Sequence, residues 1–203
     1  MRKGLISALM ITCLALTACG GTEQQLEQAR NRLTQAEAVA LTAQVRANLG
    51  ETAETFRLEH SLAEGTWTVT VTEPAVLQGV TARISSQGSE LEYDGAILTT
   101  GAVTGGGLSP IGAVPMIWET LRAGTVDSIW TEGALLVAKL IYDDDISVTI
   151  WLEDGLPVGA ELAENSIVKV VCTISNVKIK EETERGTTEN EDLGGNQSGE
   201  SGT

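Results

Sequence analysis

Histidine is nearly absent from this chain: His60 stands alone in 203 residues. No nucleophile elbow accompanies it, so Arg57-Leu58-Glu59-His60-Ser61 reads as a strand carrying an exposed or hydrogen-bonded structural histidine rather than a general base. A zinc site built on His60 would have to take carboxylates as its other ligands. Basic residues are scarce as well. Lys and Arg number 13 against 28 Asp and Glu, a net charge of -15, and no stretch gathers the cations into a patch. Such a polyanion repels phosphate backbones and anionic headgroups, which excludes nucleic acid as a partner and electrostatic adhesion as the route to a membrane. Phosphate and calcium motifs are missing too. Gly105-Gly106-Gly107 is followed by no Gly-Lys-Ser/Thr, and Asp143-Asp144-Asp145 lacks the alternating ligand spacing and terminal Glu of an EF-hand loop, so the three aspartates read as a solvated hairpin turn. No catalytic constellation, cofactor motif or metal site emerges, and the expectation is a protein that is not an enzyme.

Long apolar runs are also lacking. The apolar stretch Leu5 to Leu16 is too short for a stable bilayer-spanning helix, and no second run is long enough to cross; after Arg2 and Lys3, and before small residues, it describes an export signal over residues 1–18. That signal ends Leu16-Thr17-Ala18-Cys19, which resembles the lipobox of bacterial lipoproteins. The resemblance implies diacylglyceryl, palmitate-type acylation of the Cys19 thiol and cleavage before it. Buried acyl methylenes contribute roughly 0.8 kcal/mol each, so two or three chains hold a domain at a membrane surface without a spanning helix. An ordinary secretory signal with an incidental cysteine is the other reading. The expected location is the extracytoplasmic face of a cell membrane, and Gly20 after the cysteine leaves outer-membrane sorting open in a two-membrane host. Of the three cysteines, Cys13 leaves with the signal and Cys19 is taken by the lipid. Cys172, within the apolar run Ile167 to Ile174, is left as a small buried hydrophobe, and no disulfide framework exists.

Beyond a tether at residues 19–24, the expected folded domain is 25–180. Thr22 and Gln25 have capping-box spacing, Gly50 sits where a C-terminal cap belongs, and Leu26, Ala29, Leu33, Ala36, Ala40, Ala43 and Ala47 recur at steps of three and four. Together they predict one long helix over 22–49. From Ala53 the period changes to two. Trp67, Val69 and Val71 alternate with threonines, Val80, Ala82 and Ile84 with Thr81, Arg83 and Ser85, and Ile146, Val148, Ile150 and Leu152 with Ser147, Thr149 and Trp151. Further strands are expected at 53–62, 90–93, 96–99, 126–131, 134–142, 156–162 and 167–179. Asp94-Gly95, Glu132-Gly133, Asp143-Asp144-Asp145 and Asp154-Gly155 suit tight hairpins. The pattern is an antiparallel meander.

One segment interrupts it. After the three glycines, Pro110 and Pro115 introduce a short helix from Val114 to Arg122, ended by Gly124, whose Met116, Ile117 and Leu121 form an apolar face. It reads equally as a lid over a cavity or as a crossover helix sealing a core. Residues 181–203 are acidic and nearly without apolar side chains, and are expected to be a disordered tail.

The order of these elements, with Thr72-Glu73-Pro74, Leu77-Gln78-Gly79-Val80, Leu91-Glu92-Tyr93-Asp94-Gly95 and Leu156-Pro157-Val158-Gly159-Ala160-Glu161, resembles the LolA/LolB-type lipoprotein carrier family over residues 25–180. That resemblance implies an α+β fold, a curved antiparallel sheet forming a half-open, unclosed β-barrel covered by helices, with acyl chains taken between sheet and helices. A lipobox in the chain itself is closer to the LolB acceptor than to the soluble LolA carrier. The germination lipoproteins of the GerS type, which act through protein partners, are similar too. Two functions follow as expectations. In one, an acyl chain or lipoprotein anchor binds among Trp67, Val69, Val71, Ile84, Leu136 and Leu140 of the sheet and Met116, Ile117 and Leu121 of the cover helix. In the other, the anchored domain is an envelope interaction scaffold with a filled core and a protein partner.

Overall fold

The computed structural model describes residues 20–49, 52–101 and 108–181. The export signal, Cys19, the glycine run and residues 182–203 of the acidic tail lie outside the described residues, while Glu181, expected as the first residue of the tail, ends the last strand. The elements in chain order are α1 (Gly20–Thr34), β1 (Ala36–Leu49), β2 (Thr52–Ala63), β3 (Thr66–Glu73), a short 3-10 turn (Ala75–Leu77), β4 (Thr81–Ser85), β5 (Gly88–Tyr93), β6 (Ala96–Gly101), α2 (Ala113–Ala123), β7 (Thr125–Glu132), β8 (Leu135–Ile141), β9 (Ile146–Glu153), β10 (Leu156–Glu164) and β11 (Ile167–Glu181).

All eleven strands join one antiparallel sheet in the order β6-β5-β4-β3-β2-β1-β11-β10-β9-β8-β7. Two meanders, β1 to β6 and β7 to β11, form two wings joined along β1 and β11. The outer strands β6 and β7 do not pair with each other, so the barrel stays open. This is the unclosed α+β sheet that the sequence resemblance implied, with two helices against it. Curvature follows from one cleft that Ile84 of β4 and Leu162 of β10 both line. Those strands stand five spacings apart in the sheet, about 24 Å if flat at about 4.8 Å per strand, so the wings must curl toward each other.

The turns obey local chemistry. Glu64-Gly65, Asp94-Gly95 and Asp154-Gly155 each place both central residues at positive φ, the backbone that matches the twist of a two-residue hairpin. The β7–β8 turn falls at Gly133-Ala134, one residue beyond the expected pair. Asp143 Oδ1 accepts from the backbone N–H of Asp145 (3.0 Å) and Ile146 (2.7 Å), so the aspartate run is a self-bonded hairpin turn.

The expected long helix over 22–49 is corrected. The helix ends at Thr34 after 15 residues, and 36–49 is a strand. Val39, Leu41, Ala43, Val45 and Ala47 are buried while Ala40, Gln44, Arg46 and Asn48 are exposed, a period of two. Ala43 and Ala47 belong to both periods, since a spacing of four is about one helical turn and also two strand repeats, and this is what disguised the strand. Thr22 lies inside the helix rather than capping it, and the helix ends too early for Gly50 to cap it. Residues 20–24, expected as tether, are the first turns of α1. Its Leu26, Ala29 and Leu33 stay on one buried stripe.

Candidate functional site

The concave face carries one contiguous apolar core drawn from both wings and both helices. On β3 the alternation puts Trp67, Val69 and Val71 inside and leaves Thr68, Thr70 and Thr72 half-buried on the other face. Across the first wing, register aligns Leu41, His60, Val69, Ala82 and Leu91 in one inward row. Across the second, Leu140 is paired with Val148, and Leu136 with Leu152.

The helix α2 lies over this face. Pro115 falls in its first turn, where a missing N–H costs nothing, and Val114, Ile117, Trp118 and Leu121 are buried along one side. It packs on α1 and on β8 to β11. On the first wing, Trp118 meets Trp67 edge to face, with centroids 5.7 Å apart at 78°. Its C-terminal end is held by α1: Arg30 donates to the carbonyls of Leu121 (3.0 Å) and Gly124 (2.6 Å).

The residues expected to bind an apolar ligand therefore share one space. Trp67, Val69, Val71, Leu136 and Leu140 of the sheet and Ile117 and Leu121 of α2 are buried in it, while Ile84 and Met116 are partly buried at its margin. Ile84 and Met116 line a cleft of about 70 Å³ along the rim of α2, with Leu108, Pro115, Tyr142 and Leu162. The volume is well below the roughly 300–1,000 Å³ usual for small-molecule sites.

His60 departs from expectation. It is neither exposed nor hydrogen-bonded among the described residues: only 3% of its surface is accessible, and neither ring nitrogen has a partner. It stands edge-on to Trp67, 6.2 Å between centroids. Burial drives its pKa down to about 3, so the ring is neutral. Trp118, which sequence reasoning did not single out, also has its indole N–H buried without a partner among the described residues. Its signal was the three-to-four spacing with Val114 and Leu121.

The other two tryptophans sit on the convex face. Trp130 and Trp151 flank Val137 across three neighbouring strands, and both indole N–H groups donate to Glu132, at 2.8 and 3.0 Å. Those two bonds, Trp151 first, lower the Glu132 pKa. Cys172 is buried, and desolvation pushes its thiol up to about 12. Among the described residues no group of three or more His, Cys, Asp or Glu is placed to hold a metal ion, and no helix is long and apolar enough to cross a membrane.

No known protein-family model matches the chain, and no curated protein does. Among solved structures, it is similar to a LolA superfamily protein from Nitrosomonas europaea, at 11% identity over 79% of this chain and 94% of that one, with a TM-score of 0.48. It is also similar to the lipoprotein LppX of Mycobacterium tuberculosis (10% identity, 78% of this chain and 95% of that one, TM-score 0.43). A third similar chain comes from the complex of the CwlD amidase with the GerS lipoprotein of Clostridioides difficile (10% identity, 80% and 94%, TM-score 0.39). These likenesses concern the fold.

Proposed function

We propose that this protein is a lipoprotein anchored through Cys19 at the extracytoplasmic face of a membrane, and that it binds an apolar chain, such as a lipid acyl chain or lipoprotein anchor, between α2 and its concave sheet. The observation that carries the reading is the cleft at the rim of α2, where Ile84 of one wing meets Tyr142 and Leu162 of the other. The helix is secured to the second wing and to α1, but touches the first through the Trp118–Trp67 edge contact. In this reading α2 swings away from the first wing, pivoting on its contacts with α1 and the second wing, and the cleft becomes a groove floored by Trp67, Val69, Val71, Leu136 and Leu140 and roofed by Met116, Ile117 and Leu121. Apolar burial at about 25 cal/mol per Å² makes several kcal/mol available to an acyl chain there. Binding, not catalysis, is the activity proposed. Native mass spectrometry of the full chain from a membrane-rich host tests it: co-purifying lipid is expected, and protein that stays bare after incubation with excess lipid refutes it.

A second reading, an interaction scaffold with a protein partner in the envelope, is favoured by the edge strand β6, where Ile97 and Leu98 are each 62% exposed. Cross-linking in the native host that traps no stable partner would count against it.

A further inference from the structure

The described residues leave three buried side-chain nitrogens without a hydrogen bond, His60 Nδ1, His60 Nε2 and Trp118 Nε1. All three belong to the ends of one row of edge-to-face rings, His60 against Trp67 at 6.2 Å and Trp67 against Trp118 at 5.7 Å. Leaving buried polar groups unpaired is costly, and native folds do so rarely. This chain pairs its indoles elsewhere: Trp130 and Trp151 on the convex face both donate to Glu132. The unpaired groups are confined to the two ends of this row of interior rings, Trp118 on α2 and His60 on β2.

We infer that His60 and Trp118 form a polar subsite within the apolar groove, which receives the ester carbonyl and hydroxyl oxygens of a neutral acylglycerol. The inference deepens the proposed apolar-chain reading and rests on it. An indole contributes one donor, and a neutral imidazole one donor and one acceptor. Two donors and an acceptor at opposite ends of a row of edge-to-face rings suit a ligand that spreads several oxygen functions over its length: an ester carbonyl accepts from an N–H at one end, and a glycerol hydroxyl donates to the imidazole at the other. A bare hydrocarbon satisfies none of the three. A phosphate or carboxylate would need a buried cation, but the buried polar side chains here are His60, Ser89 and Thr120, and desolvation keeps His60 uncharged. Access is at hand, because Ile84 is the register partner of Trp67 and also lines the cleft.

The full chain is titrated with dioleoylglycerol and, separately, with octadecane. The expected result is a preference for the glyceride of about tenfold or more, which Trp118→Phe and His60→Leu each reduce about tenfold, the scale of one hydrogen bond. In the unaltered protein the Trp118 indole N–H resonance, identified by its loss in Trp118→Phe, should move on adding dioleoylglycerol and not on adding octadecane, a readout that does not depend on how the variants fold. If both ligands bind equally and the resonance responds to neither or alike to both, the subsite is overturned while the apolar-chain reading stands; an ordered water alone at these nitrogens gives that outcome. If neither ligand binds, the apolar-chain reading falls and the subsite with it.

Discussion

Arg30 of α1 caps α2 from outside, its guanidinium Nη2 donating to the Gly124 carbonyl at 2.6 Å, 94 residues away along the chain. Together with the bond to Leu121 it places a cation on helix carbonyls that lack intrahelical partners, where the helix dipole favours positive charge. Glu27, one turn before Arg30, holds the guanidinium from its other side at 3.2 Å.

Arg30→Ala should therefore loosen the cover helix before anything else. A loss of roughly 1.5–3 kcal/mol is expected for charge-assisted bonds to part-buried carbonyls, read by urea denaturation. Faster amide exchange confined to 113–124 should accompany it; uniform exchange across the sheet would contradict the local role.

Substitution of His60 should change how stability depends on pH. Its folded pKa, about 3, lies below the ordinary 6.5, so between those values the unfolded chain binds the extra proton and stability falls as pH falls. Relative to His60→Leu, the natural protein should lose up to about 1.4 kcal/mol for each pH unit below 6.5. At pH 7 without ligand the leucine variant should melt no lower, since it removes two unpaired nitrogens. Parallel melting curves from pH 7 to 4.5 would refute the assignment.

The convex-face group should behave as a small independent unit. Val137 is fully buried, yet it stands outside the main core, covered by neighbours such as Trp130 and Trp151. Val137→Ala should cost on the order of 1–3 kcal/mol. Glu132→Gln should alter tryptophan emission without affecting lipid uptake, and a change in uptake would show that the two faces are coupled.

Cys172 should resist alkylation. With the thiol buried and its pKa near 12, almost no thiolate exists at pH 8. Iodoacetamide labelling, followed by mass spectrometry, should be negligible in buffer and complete in urea; rapid labelling of the folded protein would contradict its burial.

Ten of the strands were legible because each is a short alternating run bounded by turn residues such as Asp94-Gly95 and Asp154-Gly155, and because one buried face suffices to impose a period of two. The short helix was legible from Pro115 and Gly124. The strand at 36–49 was not: its alanines fit both periods, and only pairing with β2 on one side and β11 on the other chose between them. In the candidate site, the apolar residues could be read from strand faces. Trp118 could have been read from its three-to-four spacing with Val114 and Leu121; its contact with Trp67 and the unpaired burial of His60 could not, since both depend on elements distant in the chain.

What the sequence by itself determined is local: the alternation of β3 and β9, the positive-φ turns, the apolar face of α2, and the net negative charge. Each depends on neighbours a few residues apart, where backbone sterics and side-chain period act. The tertiary structure decided the rest: that β1 is a strand, that the sheet curls far enough for Ile84 and Leu162 to share a cleft, and that His60, Trp67 and Trp118 meet edge to face. Those outcomes depend on burial and hydrogen bonding between segments tens of residues apart, which no local pattern encodes.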